Sequence, residues 1–212
     1  MFARLAPDYD RLNTLLTFGL DRRWRRALVE AVGVGSGHRV LDVGAGTGRS
    51  LAEVQRAVGP SGVALGVDFT EPMLRRARGH RVLADALRLP FPARTFDASV
   101  SAFALRDVQD QQVMLEEMGR VTRPRGRLGI LEIGRPAGRL RRAGFDAWFR
   151  GAVPRIASAF GQGEAHRFLV RSVAYLPSPA GLETMLAAAG VRDIRRKELT
   201  LGAAQLLWGI KG

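Results

Sequence analysis

Three glycines at alternate positions, Gly44-Ala45-Gly46-Thr47-Gly48, separate a β-branched run from an amphipathic one. Glycine allows positive φ and lets backbone come close to a ligand. Such a turn counts as a binding loop when a strand leads into it and a helix follows. That context is met, since Arg39 to Val43 reads as a strand and Ser50 to Val58 as a helix. Twenty residues past Gly48, Asp68 closes a second strand-like run that begins at Val63. A carboxylate there can accept hydrogen bonds from both hydroxyls of a ribose. A helix N-cap is the plainer role for this aspartate, but Thr70 already offers one. Asp85 ends a third run and is placed to meet an adenine amino group. Gly44, Gly46, Asp68 and Asp85 therefore describe a site for an adenosine-bearing cofactor. A dinucleotide fits poorly. Its fingerprint needs glycine or alanine three residues after the second glycine; Arg49 stands there, and the third glycine comes one residue early. Phe91 and Phe96 read as core rather than as cofactor-stacking residues.

The elements that must hold these residues alternate. Further strands are expected at Arg81–Ala84, Asp97–Phe103, Gly126–Ile133, Val191–Leu199 and Ala203–Ile210. Helices are expected from Glu71 to Ala77, with Pro72 near its start. Another is expected from Gln111 to Val121, with Val113, Met114, Met118 and Val121 at helical spacing, and one from Ala180 to Ala189, stopped by Gly190. Strands alternating with helices imply an α/β fold, a doubly wound and mostly parallel sheet with helices on both faces. Ligands then bind at the carboxyl ends of the strands, near the point where strand order reverses. The expected organisation is a single domain over residues 1–212, with an N-terminal helical segment at 1–33 and an insertion at 135–172.

Composition narrows the classes. With 46% hydrophobic and 25% charged residues, the chain is ordinary for a globular protein. No run of 18 apolar residues is present, and Asp8 and Asp10 stand where a leader would be apolar, so a cytoplasmic protein is expected. There is no cysteine, and His38, His80 and His166 lack metal-ligand spacing, so no metal is expected. The net charge is +13, and only Lys197 and Lys211 among the 33 basic residues are lysine. Such a surface attracts anions, with nucleic acid and anionic lipid as the two candidates and a solvated basic surface as the plain alternative. The insertion carries eight arginines against Asp146 and Glu164, with Leu140, Phe145, Trp148, Phe149 and Val153 roughly at helical spacing. It reads as a basic amphipathic stretch suited to covering a substrate or touching the inner membrane surface peripherally.

Several blocks together resemble the ubiquinone/menaquinone biosynthesis C-methyltransferases over nearly the whole chain. These are Tyr9-Asp10, Asp21 to Arg25 around Trp24, Gly66 to Phe69, Leu89-Pro90-Phe91, Phe103 to Val108, and Glu116 to Pro124 with Glu132 beyond. The resemblance implies the class I methyltransferase sheet of seven strands with an antiparallel last strand, S-adenosylmethionine as cofactor, and C-methylation of a quinol ring, with demethylmenaquinol foremost. It implies that Thr47, Asp68, Asp85 and Ala86 contact the cofactor. The acceptor would be a quinol with a polyprenyl tail. Another small acceptor, or a weakly catalytic subunit of a quinone-making assembly, is the alternative. Nucleic acid is disfavoured because the Asn/Asp-Pro-Pro-aromatic motif of base-amino methyltransferases is replaced by Ser101-Ala-Phe103-Ala-Leu-Arg106. Oligomeric state is open, a homodimer being one option.

Within that resemblance, Arg106, Asp107 and His166 are the catalytic candidates. Arg106 cannot act as a base, but it can stabilise a phenolate or hold a water. An ion pair with Asp107 or Asp110 is its structural alternative. Histidine is a side chain that can exchange a proton near neutral pH, and His166 stands in the insertion. The sequence departs from the family pattern at Arg49 for an aspartate, at Ala102 for a serine, at Asp107 for an asparagine, at Arg125 for a glycine and in the segment from His166 to Ser172. Strands one and four should be neighbours, so Arg49 and Asp107 could form a swapped ion pair. A type I turn at Arg125 would avoid the strain of a positive φ.

Overall fold

The computed structural model describes residues 14–134, 136–159 and 172–212. Seven strands form one sheet: β1 (Arg39–Val43), β2 (Val63–Asp68), β3 (His80–Leu83), β4 (Phe96–Ala102), β5 (Thr122–Ile133), β6 (Val191–Leu199) and β7 (Ala204–Lys211). The order is β3-β2-β1-β4-β5-β7-β6. The first five strands pair in parallel, and β7 enters antiparallel to both β5 and β6. Chain order reverses between β1 and β4, which places the glycine loop and the β4 loop side by side.

Strands covered on both faces need apolar residues at nearly every position. Accordingly Val40, Leu41 and Val43 of β1 and Ala98 and Val100 of β4 are buried. One face carries α1 (Leu20–Val32) and α2 (Arg49–Val58), packed through Trp24, Leu28, Val32, Leu51, Val54 and Val58. The short α3 (Glu71–Leu74) follows β2. On the opposite face lie α4 (Gln111–Val121) and α7 (Pro179–Ala188), packed through Met114, Leu115, Met118, Leu182 and Leu186. Both of these helices begin on a side-chain cap, as a helix start needs. Asp110 accepts from the Val113 N–H, and Ser178 accepts from that of Gly181 ahead of a helix with proline in its first turn. Between β5 and α7, α5 (Arg139–Asp146) runs through a π-helical stretch, Ala147–Ala152, into α6 (Val153–Ala159).

Three sequence expectations change. The helix from Glu71 closes at Leu74 rather than Ala77, because the Arg76 and Ala77 N–H groups bond three residues back, to Met73 and Leu74. The fifth strand begins at Thr122, four residues early, since Phe96 pairs with Thr122 across an irregularity. Arg125 inside it has φ 64°, so the strained alternative is the one adopted, at about 1–2 kcal/mol.

Candidate functional site

The glycine loop leaves β1 with Gly44, Gly46 and Gly48 all at positive φ. A side chain at Gly44 would stand 2.3 Å from the Ala104 Cβ, which is how tightly the β1 and β4 loops approach. At Gly46 a Cβ would meet nothing within 4 Å. That bare backbone borders a cavity also lined by Thr47, Asp68, Phe69, Ala84, Ala86, Ala104 and Asp107. Asp68 braces the loop: its Oδ2 accepts the Gly46 N–H at 2.8 Å and its Oδ1 the Thr70 N–H at 2.7 Å. An open glycine face, a carboxylate at the tip of β2 and a small apolar slot at Ala84 and Ala86 together suit a nucleoside with its ribose toward Asp68. Asp85 is exposed between those alanines, and its Oδ1 accepts the Leu87 N–H at 2.9 Å, so it closes a turn beside the slot.

Beneath the loop, Asp42 is fully buried. Burial pushes its carboxyl up to about 7, against the pull of Arg25 and with a further push from Asp68. Sequence reading passed over Asp42 and Arg25. The available signal was helical spacing: Asp21 and Trp24 share the buried stripe of α1 with Leu28, and an acid on such a stripe requires a partner. Asp21 has several. Arg49 Nη1 forms an ion pair with its Oδ2 at 2.8 Å, Arg25 Nε lies 3.8 Å from the same oxygen, and Thr17 donates a hydrogen bond to its Oδ1 at 3.2 Å. Arg49 also donates to Thr14 Oγ1 at 2.7 Å. The supposed swap of Arg49 with Asp107 is therefore not formed; among the described residues, Asp21 answers Arg49 instead.

After β4, residues Leu105–Asp107 make a 3₁₀ turn pinned from beneath by Glu132, whose Oε1 accepts the Leu105 N–H at 2.9 Å. Arg106 Nη1 meets Glu132 Oε2 at 3.0 Å, and its Nη2 lies 3.7 Å from Asp107 Oδ2. The Arg106 side chain is 3% exposed and Glu132 is 0% exposed, so this is a buried pair rather than a surface bridge. Burial raises the Glu132 carboxyl against the pull of Arg106. Burial likewise raises Asp107, opposed by Arg106 and aided by Asp68. The structure thus brings Arg106 and Asp107 together, and it places Asp107, with Gly44, Gly46, Thr47, Asp68 and Ala86, on the glycine-loop cavity. His166 lies outside the described residues, as do Tyr9 and Asp10.

A second cavity of ≈ 250 Å³ adjoins the first, which holds ≈ 110 Å³. Its walls are largely apolar and aromatic, including Leu16, Phe18, Trp24, Phe145, Trp148 and Phe149, and Arg106 reaches it from the β4 side. Phe18 stacks on Trp148 at 5.1 Å and Phe145 on Phe149 at 5.2 Å. Trp24 Nε1 donates to Thr200 Oγ1 at 2.9 Å, tying α1 to the β6–β7 turn. Leu140, expected on the apolar face of the insertion, is instead 88% exposed; α5 buries no residue, and the apolar face begins at Phe145. A nucleoside site beside an aromatic cavity can transfer a group from a bound cofactor to an apolar ring.

The sequence profile of the ubiE/COQ5 methyltransferase family matches residues 1–211. The chain is 42% identical to a demethylmenaquinone methyltransferase of Roseiflexus sp. (strain RS-1), over 100% of the chain and 92% of that protein. It is 39% identical to the ubiquinone/menaquinone biosynthesis C-methyltransferase UbiE of Geobacter sulfurreducens, over 100% of the chain and 87% of that protein. Among solved structures, a SAM-dependent methyltransferase from Aquifex aeolicus superposes with a TM-score of 0.64 at 20% identity, covering 89% of each chain. That likeness shows the fold.

Proposed function

From the premise that this chain belongs to the ubiE/COQ5 methyltransferase family, we propose that it methylates a ring carbon of a prenylated quinol, demethylmenaquinol foremost. S-adenosylmethionine is the donor. The observation that carries the acceptor is the aromatic cavity adjoining the glycine-loop cavity, with the buried Arg106–Glu132 pair at its wall.

Bound at the glycine loop, S-adenosylmethionine supplies an electrophilic methyl group. Gly44, Gly46 and Thr47 would hold it along the loop, Asp68 at the ribose, and Asp85 and Ala86 at the adenine end. The protein's task is then to place the acceptor carbon at attack distance and to make it nucleophilic. Trp24, Trp148 and Phe149 enclose the ring and exclude water. Arg106, held by Glu132, is fixed at the cavity wall, where it can position a water that takes up the hydroxyl proton. Asp107, a carboxylate with raised proton affinity beside Arg106, is suited to receive a proton relayed through water. His166 is a further candidate for that proton.

The polyprenyl tail of such an acceptor resides in a membrane, so the enzyme must meet one. Among the described residues no helix is long and apolar enough to cross it. Phe18 at the aromatic cavity is 72% exposed, and α5 exposes Leu140 together with Arg139, Arg141 and Arg142. Apolar side chains among arginines favour a peripheral, anionic-lipid contact. Sedimentation with anionic vesicles at low salt is expected, with loss of binding as salt rises; equal binding to neutral vesicles would discount the charge argument.

The functional test is transfer of label from methyl-labelled S-adenosylmethionine to chemically reduced demethylmenaquinone. Label in the lipid fraction, dependent on reduction, is expected. Absence of transfer with cofactor binding intact would move the assignment to another acceptor or to a non-catalytic subunit.

A further inference from the structure

Methyl transfer requires donor and acceptor atoms about 3–3.5 Å apart. If the cofactor occupies the glycine-loop cavity and the acceptor the aromatic one, the reacting atoms must meet at the wall between them. Among the described residues two side chains line both cavities, Arg25 and Phe103. The Arg25 guanidinium lies over the Phe103 ring, 5.1 Å from its centroid, and Phe103 is held at φ 61°. Arg106 lines the aromatic cavity but not the glycine-loop cavity.

A ring carbon becomes nucleophilic when the hydroxyl next to it is ionised. That oxygen is one bond removed from the attacked carbon's neighbour, so it too must lie at the shared wall. We propose that Arg25, rather than Arg106, is the catalytic residue that stabilises the acceptor's oxyanion. This rests on the reading of an oxygenated ring as acceptor. In the step, the hydroxyl proton leaves to water and the guanidinium keeps its own protons, because arginine does not deprotonate in proteins. The new C–CH₃ bond forms as the donor's S–CH₃ bond breaks, and the ring proton then leaves to water to restore the aromatic ring.

The surroundings of Arg25 fit a charge held in place. Asp21 lies 3.8 Å from its Nε, and Nη1 donates to Ser50 Oγ at the start of α2. Asp42 interacts with it from beneath the loop, and Arg49 occupies the far side of Asp21. Arg25 lines both cavities, whereas Arg106, paired with Glu132 and Asp107, lines the aromatic one alone.

The test reads ionisation rather than turnover. A nitronaphthol, whose phenolate absorbs at longer wavelength than its phenol, is bound in the presence of S-adenosylhomocysteine and titrated by absorbance. The wild-type protein is expected to lower the probe's apparent pKa by about one unit, a tenfold gain in ionised form. R25Q should abolish that shift, R25K should keep part of it, and R106Q should leave most of it. Circular dichroism and thermal unfolding check that each variant is folded. An unchanged shift in R25Q, or one lost only in R106Q, would overturn the proposal. Should R25Q not fold, R25K decides, since a shift identical to wild type would contradict a role set by guanidinium reach. A shift that depends on Arg25 in a protein that methylates no quinol would sink the functional reading and leave this one standing.

Discussion

The two adjoining cavities are built in opposite ways. The glycine-loop cavity is centred on the loops at neighbouring strand ends, with Asp68 accepting hydrogen bonds from the Gly46 and Thr70 backbone N–H groups. The aromatic cavity is assembled from segments far apart in the chain, residues 16–25, 103–106, 145–153 and 200–203. Its polar parts are side chains held by other side chains: Arg106 by Glu132, Trp24 by Thr200. The first cavity should thus be sensitive to backbone geometry and the second to the loss of single supporting side chains.

The sharpest division is expected from E132A. Removing one member of a buried pair leaves an uncompensated charge, and costs about 3–5 kcal/mol. Here the Leu105 N–H also loses its acceptor. Urea unfolding should register that loss, and turnover should fall with it. Cofactor affinity of the folded fraction should change less than about threefold, an effect below 1 kcal/mol. An affinity that collapses in parallel with stability would mean that the two cavities are one unit.

On the cofactor side the corresponding effect depends on pH. Asp42, held near 7, binds its proton more tightly in the folded than in the unfolded chain, where the value is 3.8. Its ionisation therefore subtracts stability as pH rises from about 4 to about 7, and the loss is constant above that. Asp107 and Glu132 act in the same direction, while Glu117, lowered by its hydrogen bond from Arg120, acts in the opposite one. The difference between wild type and D42N isolates the single residue. D42N is expected to gain on wild type across that window by on the order of 4 kcal/mol. A pH-independent difference would show that Asp42 stays ionised throughout.

Sequence reading reached the two cavities unequally, for the same reason that they differ in construction. The glycine loop, Asp68 and the alternation of strands are local patterns, so β1, β2 and α4 were legible within a residue. That the β1 and β4 loops adjoin was legible from the expectation that the two strands are neighbours. What failed was pairing between distant segments. Arg49 invited a partner from the adjacent loop, yet Asp21 from α1 takes it, because α1 lies across the start of α2. Arg25 stands four residues after Asp21 on α1, unlike the exposed Arg22 and Arg26, but its contacts with Ser50 and Phe103 come from other elements and are not legible locally. The left-handed Arg125 is likewise imposed by β5 pairing with β4 on both sides of it.

A backbone change should separate the halves from the other direction. In G44A the new Cβ meets Ala104 at 2.3 Å while φ stays at 72°. Left-handed strain of about 1–2 kcal/mol adds to overpacking of similar size. Stability should fall by about 2–3 kcal/mol, and cofactor affinity by tenfold or more as the loop shifts. G46A meets no neighbour and should cost only the strain in stability, although its methyl group would stand in the cavity. Equal stability losses in the two variants would contradict the close approach of the β1 and β4 loops.

The smallest effect concerns the β6–β7 turn, where Thr200 and Leu201 both hold positive φ, at 48° and 57°. Neither is glycine, so the turn is strained, and the Trp24 Nε1 bond to Thr200 Oγ1 fastens it to α1. W24F keeps most of the aromatic surface and removes the donor, at about 1 kcal/mol. Because Trp24, Thr200 and Ala203 line the aromatic cavity alone, the acceptor's KM should rise while cofactor affinity stays level. T200V should reproduce the change, and the double variant should add little to either single one, as expected for partners in one contact. Additive losses would mean that the ring and the turn support the acceptor separately.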